Sequence, residues 1–389
     1  MSTFRAVHSI HQTDAGRWQN LYRQLTPQGY PFLDRRFLAA LEDSGCIGTR
    51  SGHASGWQAC YLQGEPETND IIIPCYIKQH SYGEYVFDWS WAEAYQRYRL
   101  DYYPKLLWAI PFTPASGPRL LGDNRQLPQA LAAVQAFTAE QSLSGWHLNF
   151  TDAASNRILT TASNTPSTAV STPVRRYGCQ FHWFNEGYQS FDDYLQHFVS
   201  RKRKAVRRER LRVTDQGIRL QRKTGTQISA DDIHMFCQCY ADTYQRRHST
   251  PYLNEAFFQQ LRQTMSEKML LVTAERGQHT IACALYFFDQ ETLYGRYWGA
   301  LEDIDALHFE ACYYQGIEFC IEQGLQRFDP GTQGEHKISR GFRPVLTHSF
   351  HQLQHPQFHE AVQQFAAEEQ DYIRRYHAEA ETLLPFHRG

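Results

Sequence analysis

The chain has 389 residues, of which 42% are hydrophobic and 14% aromatic, so it can bury large cores and should form two or three globular domains. Its formal net charge of −2 excludes a general attraction to nucleic acid or anionic lipid, so any such role requires a local patch. No apolar run is long enough for a signal peptide or a membrane span, and nine cysteines form no CxxC pair, which predicts a reduced, cytoplasmic protein without a membrane partner or a metal site.

The N-terminal part of the sequence predicts a strand, two helices and two further strands, in that order. The second helix begins in PFLDRRFLAAL (31–41), where Asp34 can act as the N-cap and Phe and Leu recur at helical spacing. An aromatic strand is predicted to begin at YGEY (82–85), followed by a helix that carries the pair Tyr102–Tyr103.

The next distinctive stretch is PFTPASGPRLL (111–121), which contains three prolines and one arginine, Arg119. Proline makes it stiff and poor in backbone donors. It is interpreted either as the wall of a cleft or as a purely structural segment. Further along, TASNTPSTAVSTPVRR (161–176) is rich in Ser, Thr, Ala and Pro and has no apolar period, so it predicts a linker between domains 1–170 and 171–389.

A strongly basic segment follows the linker. Residues 190–216 predict one long helix with Ser190 as its N-cap, and eight of the twelve residues 201–212 are Lys or Arg. A solvated helix face and a binding site for a polyanion (a phosphate, a nucleotide or tRNA) explain this run equally well. The candidate polyanion-binding residues are Arg201, Lys202, Arg203, Lys204, Arg207 and Arg208.

The order of elements then repeats. PYLNEAFFQQL (251–261) aligns without a gap with residues 31–41 and has Asn254 in the capping place; two strands, YGRY (294–297) and a helix with a second Tyr pair (313–314) follow. Four features in the same order predict a tandem duplication.

Each copy reads β-α-α-β-β-β-α-β, which predicts an α/β fold with a mixed sheet. This order is the one found in GNAT-type acyltransferases, so the sequence predicts two tandem GNAT-like domains with the basic helix inserted before the second. The two tetrapeptides differ by a charge reversal, Glu84 against Arg296. We interpret it as a sign that the second copy is the one suited to an anionic substrate.

The turn before the second Tyr-pair helix bears on the acyl donor. In GNAT-type acetyltransferases this turn is glycine-rich, and its N–H groups hold the pyrophosphate of coenzyme A. Residues 300–310, ALEDIDALHFE, contain no glycine and place Glu302, Asp303 and Asp305 there, where carboxylates repel a polyphosphate. Coenzyme A binding of the usual kind is therefore disfavoured in the second copy and unsupported in the first.

The strongest candidate for a reaction site is RFDPGTQGEHKISRGFRP (327–344). Three glycines let its backbone approach a ligand closely, and it leaves a strand, where α/β folds keep their sites. An ordinary surface loop is the alternative. Its charged and titratable side chains include Glu335, His336, Lys337, Arg340 and Arg343.

Several blocks of the sequence resemble the FemAB-like group of N-acyltransferases over nearly the whole chain: HSYGEYVFDWSWAEAY, SRKRKAVRRER and HFEACYYQGIEFCIEQGLQRFDPGTQGEHKISRGF. Within the wider Fem-type aminoacyl transferases, HKISRGF is similar to the lysine-bearing segment near the reaction site, and the basic helix is similar to a helical insertion that often forms a two-helix arm. Fem-type enzymes transfer an aminoacyl group from aminoacyl-tRNA to an amine of a peptidoglycan precursor. The resemblance therefore implies an N-acyltransferase without identifying its acceptor.

The leading hypothesis is transfer of an acyl, preferably aminoacyl, group to a primary amine on a small molecule or peptide, without a cofactor other than the donor, aminoacyl-tRNA or acyl-CoA. Such a step passes through an oxyanion, which needs a cation or N–H donors, and it releases a proton. Lys337 is predicted to be the cation that faces the oxyanion or a phosphate of the donor, with Glu310 or His308 as proton acceptor. The predicted substrate-binding residues are Arg296, Tyr294, Tyr314, His336, Arg340, Arg343, Glu84, Asp88 and Arg119.

Two alternatives stay open at this point. One is an acyl-CoA-dependent acetyltransferase of the GNAT type, and the other is a non-catalytic protein that binds cell-wall fragments or RNA. The second alternative predicts binding through residues 201–212 that weakens steeply with salt.

Overall fold

The structure is a computed structural model that describes residues 4–25, 29–50, 53–163, 172–332 and 334–387. The chain divides into two compact units: unit 1 is Met1–Gly178 with Leu346–Arg375, and unit 2 is Cys179–Val345 with Tyr376–Gly389. The sequence predicted domains of 1–170 and 171–389, so the compact units differ from that division at the C-terminal end. The core of the predicted linker, 164–171, lies outside the described residues, whereas its flanks end a helix and begin a strand.

The elements follow one another as mixed α/β structure. The strands are β1 (Phe4–Val7), β2 (Thr49–Arg50), β3 (His53–Ala54), β4 (Trp57–Gly64), β5 (Ile72–Lys78), β6 (Lys105–Trp108), β7 (Gly145–Asn149), β8 (Val174–Phe184), β9 (Ile218–Thr224), β10 (Met269–Arg276), β11 (His279–Phe288), β12 (Thr292–Ala300), β13 (Arg327–Asp329) and β14 (Arg343–Leu353). The helices are α1 (Ala15–Leu25), α2 (Arg35–Asp43), α3 (Trp89–Arg97), α4 (Leu127–Glu140), α5 (Ala153–Ser163), α6 (Phe191–Gln196), α7 (Ser200–Asp215), α8 (Ala230–Gln245), α9 (Glu255–Met265), α10 (Leu307–Phe309), α11 (Gln315–Gln323) and α12 (Pro356–Thr382).

Unit 1 contains strands in the order β1-β4-β5-β6-β7-β14. The pairs β1–β4, β4–β5 and β5–β6 are antiparallel, β6–β7 is parallel, and β7–β14 is antiparallel. Its core packs Trp108, Trp146 and Phe350 among aliphatic side chains of the sheet and α4. A strand from the far end of the sequence thus completes this unit.

Unit 2 has strands in the order β9-β10-β11-β12-β13-β8. The pairs β9–β10, β10–β11 and β11–β12 are antiparallel, β12–β13 is parallel, and β13–β8 is antiparallel. The two units therefore share one strand order with the same succession of strand directions. The predicted α/β class with a mixed sheet in two similar copies is confirmed.

The helices that open each copy are confirmed together with their caps. Asp34 accepts a hydrogen bond from the backbone N–H of Arg36 at the start of α2, and Asn254 accepts one from Phe257 at the start of α9. Each side chain thereby satisfies one of the free N–H groups of a first helical turn.

The position of YGEY within the repeat was predicted wrongly. Residues 82–85 lie in the loop between β5 and α3, where Gly83 and Tyr85 have φ angles of 81° and 60°, and such left-handed residues do not occur in a regular strand. The order and directions of the strands make β6, not YGEY, the counterpart of β12. Residues 79–104 are therefore an insertion in unit 1, and Glu84 is not the counterpart of Arg296.

The first Tyr pair was also placed wrongly. Tyr102 and Tyr103 lie in irregular backbone before β6, because the ring of Pro104 disfavours the helical conformation for the residue before it. The second pair lies in a π-helical turn, Glu310–Tyr314, between α10 and α11, which agrees with the predicted helix.

The predicted single basic helix is broken in two. Ser190 caps α6 by accepting a hydrogen bond from the N–H of Asp193, as predicted, but the helix ends at Gln196. The backbone of Val199 is extended, with ψ 142°, and its N–H donates to the carbonyl of Pro385 at 2.8 Å. Phe198 is fully buried against Phe386, so burial of this side chain fixes the break before α7 begins at Ser200.

Candidate functional site

Strands β12 and β13 separate in unit 2, and the separation creates the candidate reaction site. They pair only over Thr292–Tyr294 and Arg327–Asp329. Beyond that point, a bulge leaves Arg296 without a residue opposite it on β11, since Gly295 pairs with Tyr286 and Tyr297 with Leu285. A bulge of this kind redirects a side chain and its backbone groups.

The predicted glycine loop occupies this opening. Gly331 has φ 87°, and a Cβ there would lie 3.3 Å from the carbonyl oxygen of Gly295 and 3.9 Å from Nη1 of Arg296. Glycine is therefore needed for both its backbone conformation and the close approach to the β12 bulge. The Gly331 N–H donates to Oδ1 of Asp329 at 2.9 Å.

Lys337 lies in a short 3₁₀ helix, Glu335–Arg340, and its side chain is buried beside this loop. Its Nζ donates to the Gly331 carbonyl at 2.7 Å. Burial lowers the pKa of Lys337 to about 8, with Asp329 opposing the shift and Arg296 adding to it. The ammonium therefore stays mostly charged at neutral pH although it is largely removed from water.

Two imidazoles and one phenol flank Lys337. The Tyr313 hydroxyl and Nε2 of His336 are 2.8 Å apart, and the His308 ring packs 5.3 Å from that of Tyr313. Burial, followed by the charges of Lys337 and Arg340, lowers the pKa of His308 to about 4. Partial burial of the His336 ring and the charges of Arg340 and Lys337 lower the pKa of His336. Both imidazoles are therefore neutral at pH 7, the form that can accept a proton.

His308 also lines a small pocket of about 210 Å³. Its other walls include Trp298, Arg246 and Arg247, and the acidic residues Glu302 and Asp303. Within the stretch 300–310, residues 301–306 form the turn before α10, and the carboxylates of Glu302 and Asp303 line the pocket beside the helix start.

Glu310, Tyr314 and Arg340, three further predicted residues, are engaged in ion pairs and hydrogen bonds with other side chains of unit 2. Both carboxylate oxygens of Glu310 accept from Arg210 at 3.0 Å, so this predicted proton acceptor holds α7 in place. Arg340 donates to the Tyr314 hydroxyl at 3.1 Å and to Glu209 at 2.7 Å. These contacts fit structural roles better than substrate binding.

The side chains of two further predicted residues bind other partners. The Tyr294 hydroxyl donates to Asp289 at 3.1 Å, and Arg343 donates to Glu186 at 2.6 Å. The structure therefore brings Lys337, His336, His308 and Arg296 together, and it does not add Tyr294 or Arg343 to that group.

A second cluster of titratable side chains is buried in unit 1. Lys105, on β6, is fully buried; its Nζ donates to Oε2 of Glu84 at 2.9 Å, to Ser81 at 2.8 Å and to Asp88. Burial alone would lower the pKa of Lys105, but Asp88 and Glu84 more than compensate and raise it. Burial raises the pKa of Glu84 to about 7 against the charge of Lys105.

The cluster continues through hydrogen bonds into the sheet. The Tyr102 hydroxyl donates to Asp88 at 2.6 Å and lies 3.4 Å from Nε2 of His147, and the Nδ1 atoms of His147 and His351 are 2.8 Å apart. Burial lowers the pKa of His147 to about 3, so a neutral imidazole is accommodated here.

Arg119 was predicted to bind substrate or to play a structural part, and its contacts fit the structural part. It is buried and donates to the carbonyls of Asn149 (2.8 Å), Pro118 (2.9 Å) and Ala115 (2.6 Å). Satisfying several buried carbonyls is what stabilises a proline-rich loop that has few backbone donors of its own.

The basic residues of α7 divide by their contacts. Arg207, Arg210 and Arg212 pair with Asp192, Glu310 and Asp305. Within the described parts of the chain, the other five predicted polyanion-binding residues form no ion pair: Arg201, Lys202, Arg203, Lys204 and Arg208. The first two turns of α7 therefore present uncompensated positive charge.

Sequence reasoning missed Lys105, Asp329 and the histidine pair of β7 and β14. Lys105 stands before a Leu-Leu-Trp run, and Asp329 ends a strand directly before Pro-Gly. The one available signal is a lysine at the start of an apolar strand. A lysine buried there requires carboxylate partners, so it indicates a buried cluster of charged side chains.

Membrane spans and metal sites are two features that the described ranges lack. No helix in them is long and apolar enough to cross a membrane. Within the same ranges, no group of three or more His, Cys, Asp or Glu side chains is arranged to hold a metal ion.

Comparisons with known proteins agree with this architecture. The FemAB-like family model, described as peptidoglycan biosynthesis/recognition, matches residues 9–388. No curated protein sequence matches significantly.

Solved structures with similar folds include FemX, with a TM-score of 0.54 and 10% identity over 92% of this chain and 100% of that one. A conserved protein of unknown function from Bacteroides thetaiotaomicron has a TM-score of 0.53 and 10% identity over 91% of this chain and 100% of its own. At such identity the similarity concerns the fold alone.

Proposed function

The chain belongs to the FemAB-like family, and from this membership we propose that it is an N-acyltransferase that moves an aminoacyl group from aminoacyl-tRNA to a primary amine. The family and the FemX-like fold support acyl transfer in general. The donor and the type of acceptor are the finer parts of the proposal.

The buried Lys337 ammonium is the observation that carries it. Attack of an amine on an ester carbonyl places negative charge on the carbonyl oxygen, and a cation fixed in a dry site stabilises that charge without reorganising. Lys337 is held by Gly331, and Arg296 lies at the neighbouring bulge.

The attacking amine must lose a proton, and neutral imidazoles are suited to receive it. His336 is exposed, its ring nitrogen lies 2.8 Å from the Tyr313 hydroxyl, and its neighbour in sequence is Lys337. We assign proton acceptance to His336, assisted by His308, in place of Glu310, which Arg210 engages through both carboxylate oxygens. No covalent intermediate is required.

The unpaired positive charge of α7 supports a polyanionic donor such as tRNA. Phosphate contacts supply most of the affinity of such complexes, and Lys and Arg without intramolecular partners are free to provide them. Because aminoacyl-tRNA is a cytoplasmic donor, the proposal also places the reaction in the cytoplasm.

The test is a transfer assay with tRNA charged with radiolabelled amino acids and a panel of primary amines, including amine-bearing peptidoglycan peptides. We expect label in an amide product with the wild-type protein and at least about 100-fold less with Lys337→Ala. Lys223→Ala is the matched control, since Lys223 is a lysine of the same unit held in an ion pair with Asp232 at 2.6 Å. Transfer from acetyl-CoA instead of aminoacyl-tRNA would overturn the assignment of the donor.

A further inference from the structure

Unit 1 has an open pocket of about 550 Å³ whose lining includes no residue of the Lys337 site. It is formed by α3 and the segments on either side, so it belongs to the insertion 79–104. In unit 2 the corresponding strands β11 and β12 are joined by a short turn. The pocket is therefore a feature of unit 1 that the repeated fold itself does not require.

Aromatic rings form one side of this pocket. Trp89, Tyr102, Tyr103 and His80 line it, and the ring of Tyr82 supports Trp89 and His80 at centroid distances of 4.9 Å and 5.2 Å. Burial and the nearby Lys78 lower the pKa of His80, so its ring is neutral at pH 7. Ring faces of this kind attract cations.

The charged groups around the pocket favour a cation over an anion. Its lining carries the carboxylates of Glu93 and Asp101 against one guanidinium, Arg99. Glu93 also meets Arg97 at 3.7 Å, but both side chains are largely exposed, and such a pair is weak in water.

Behind the rings, the buried cluster carries no net positive charge, because Lys105 is paired with two carboxylates. Lys105 is the cation shared between Glu84 and Asp88, and it lies 5.3 Å and 5.7 Å from the ring centroids of Tyr102 and Tyr103. Among the described residues, Oε1 of Glu84 and Oδ1 of Asp88 have no hydrogen-bond partner. Asp88 occupies the N-cap position of α3, but its side chain makes no capping hydrogen bond, because its carboxylate accepts from Lys105 instead.

We propose that this pocket binds a primary ammonium group and, resting on the proposed function, that this ammonium belongs to the acyl acceptor and is distinct from the amine that attacks the donor. Trp89 and Tyr103 supply the ring faces, and Asp101 and Glu93 supply the countercharge. A phosphate or carboxylate ligand would face these two carboxylates.

Calorimetry with two neutral-backbone probes tests the proposal: Nα-acetyl-lysine methylamide, which has a free ammonium, and the same compound acetylated at Nε. We expect saturable binding of the first and at least about tenfold weaker binding of the second. Trp89→Ala should weaken the first by about fivefold or more, as loss of a cation–π contact does. Asp101→Asn should weaken it as well, whereas Glu67→Gln, an exposed acid of the same unit outside the pocket, should not.

Equal affinity for the two probes, or no binding at millimolar concentration, would overturn the proposal. Binding of N-acetylglucosamine that disappears in Trp89→Ala would overturn it in favour of a sugar site. Circular dichroism of each variant checks that it is folded. Lys337→Ala should bind the ammonium probe like the wild type, so the two proposals can fail separately. Ammonium binding by the wild-type protein without any transfer would refute the proposed function alone. Transfer without ammonium binding would refute this inference alone.

Discussion

Burial of the Lys337 ammonium, the proposed catalytic cation, carries a cost in stability. Lowering the pKa of a lysine from 10.5 to about 8 corresponds to about 3 kcal/mol spent on keeping the charge out of water. Lys337→Met should therefore leave the melting temperature unchanged or raise it, and it should lower kcat/KM for transfer by about 100-fold or more. If thermal melting shows that Lys337→Met is unfolded under the assay conditions, its loss of activity would be due to unfolding, and this result would contradict the catalytic role.

The same pKa predicts the pH dependence of the reaction. The folded-state pKa of Lys337 lies below its ordinary value, so the ammonium loses its proton as pH rises through about 8. Transfer should decline over that range in a pH profile of kcat/KM. In Lys337→Arg the guanidinium keeps its charge, and this alkaline decline should be absent. A decline at the same pH in both proteins would assign it to another group.

Glu84 and Arg296 are not counterparts in the repeat, so reversing the charge of each should have a different effect. Glu84→Arg places a second cation beside Lys105 in a site without solvent, so it should destabilise the protein by about 3 kcal/mol or more. Arg296 lies at the β12 bulge beside the proposed site, so Arg296→Glu should keep the fold but reduce transfer. Urea unfolding and the transfer assay separate the two effects, and a stable, inactive Glu84→Arg protein would contradict this assignment.

At the scale of the element, the ion pairs of α7 leave part of its positive charge uncompensated, and we propose that this charge binds tRNA. Replacing Arg201, Lys202, Lys204 and Arg208 with Gln should weaken tRNA binding and reduce its salt slope by about one unit for each phosphate that the helix no longer neutralises. Arg212→Gln is the control, because Arg212 already pairs with Asp305 at 2.7 Å. An unchanged salt slope in the fourfold variant would return α7 to the simple role of a solvated face.

Sequence patterns predicted the elements that depend on local chemistry. The capped helices α2 and α9 follow from Asp34, Asn254 and their apolar spacing, and the Lys337 loop follows from its glycines. The break between α6 and α7 could not be predicted, because it depends on burial of Phe198 against Phe386, far away in the sequence. The pairing of Lys105 with Glu84 and Asp88 is hidden for the same reason.

The false match of YGEY with YGRY shows the same limit at the level of the repeat. Four similar letters lie in a loop in one copy and on β12 in the other, whereas the real counterpart of β12 is β6, which shares little sequence with it. Strand order and direction preserve a duplication longer than side chains do, because hydrogen bonding of the backbone does not depend on residue type.

At the scale of the whole molecule, each unit is closed by a strand from outside its own repeat. In unit 1 the sixth strand is β14, which pairs with β7 over Ser349–Leu353, and in unit 2 it is β8, which precedes the repeat. The contribution of β14 explains why a division at residue 170 does not describe compact units. No local pattern distinguishes a strand that closes a distant sheet from one that closes its own.

This arrangement predicts which fragments fold. Residues 1–178 alone should not form a stable unit, because β7 becomes an open edge and Arg176 loses its partner Glu369, with which it makes two hydrogen bonds of 2.7 Å. Joining 346–375 to that fragment through a short Gly-Ser linker should restore a cooperative thermal transition. A short linker is enough because the two ends lie close together: a Cβ at Gly178 would lie only 2.7 Å from Oγ1 of Thr347. Cooperative unfolding and a monomeric elution volume for residues 1–178 alone would show that unit 1 does not need β14. That result would contradict the assignment of 346–375 to unit 1.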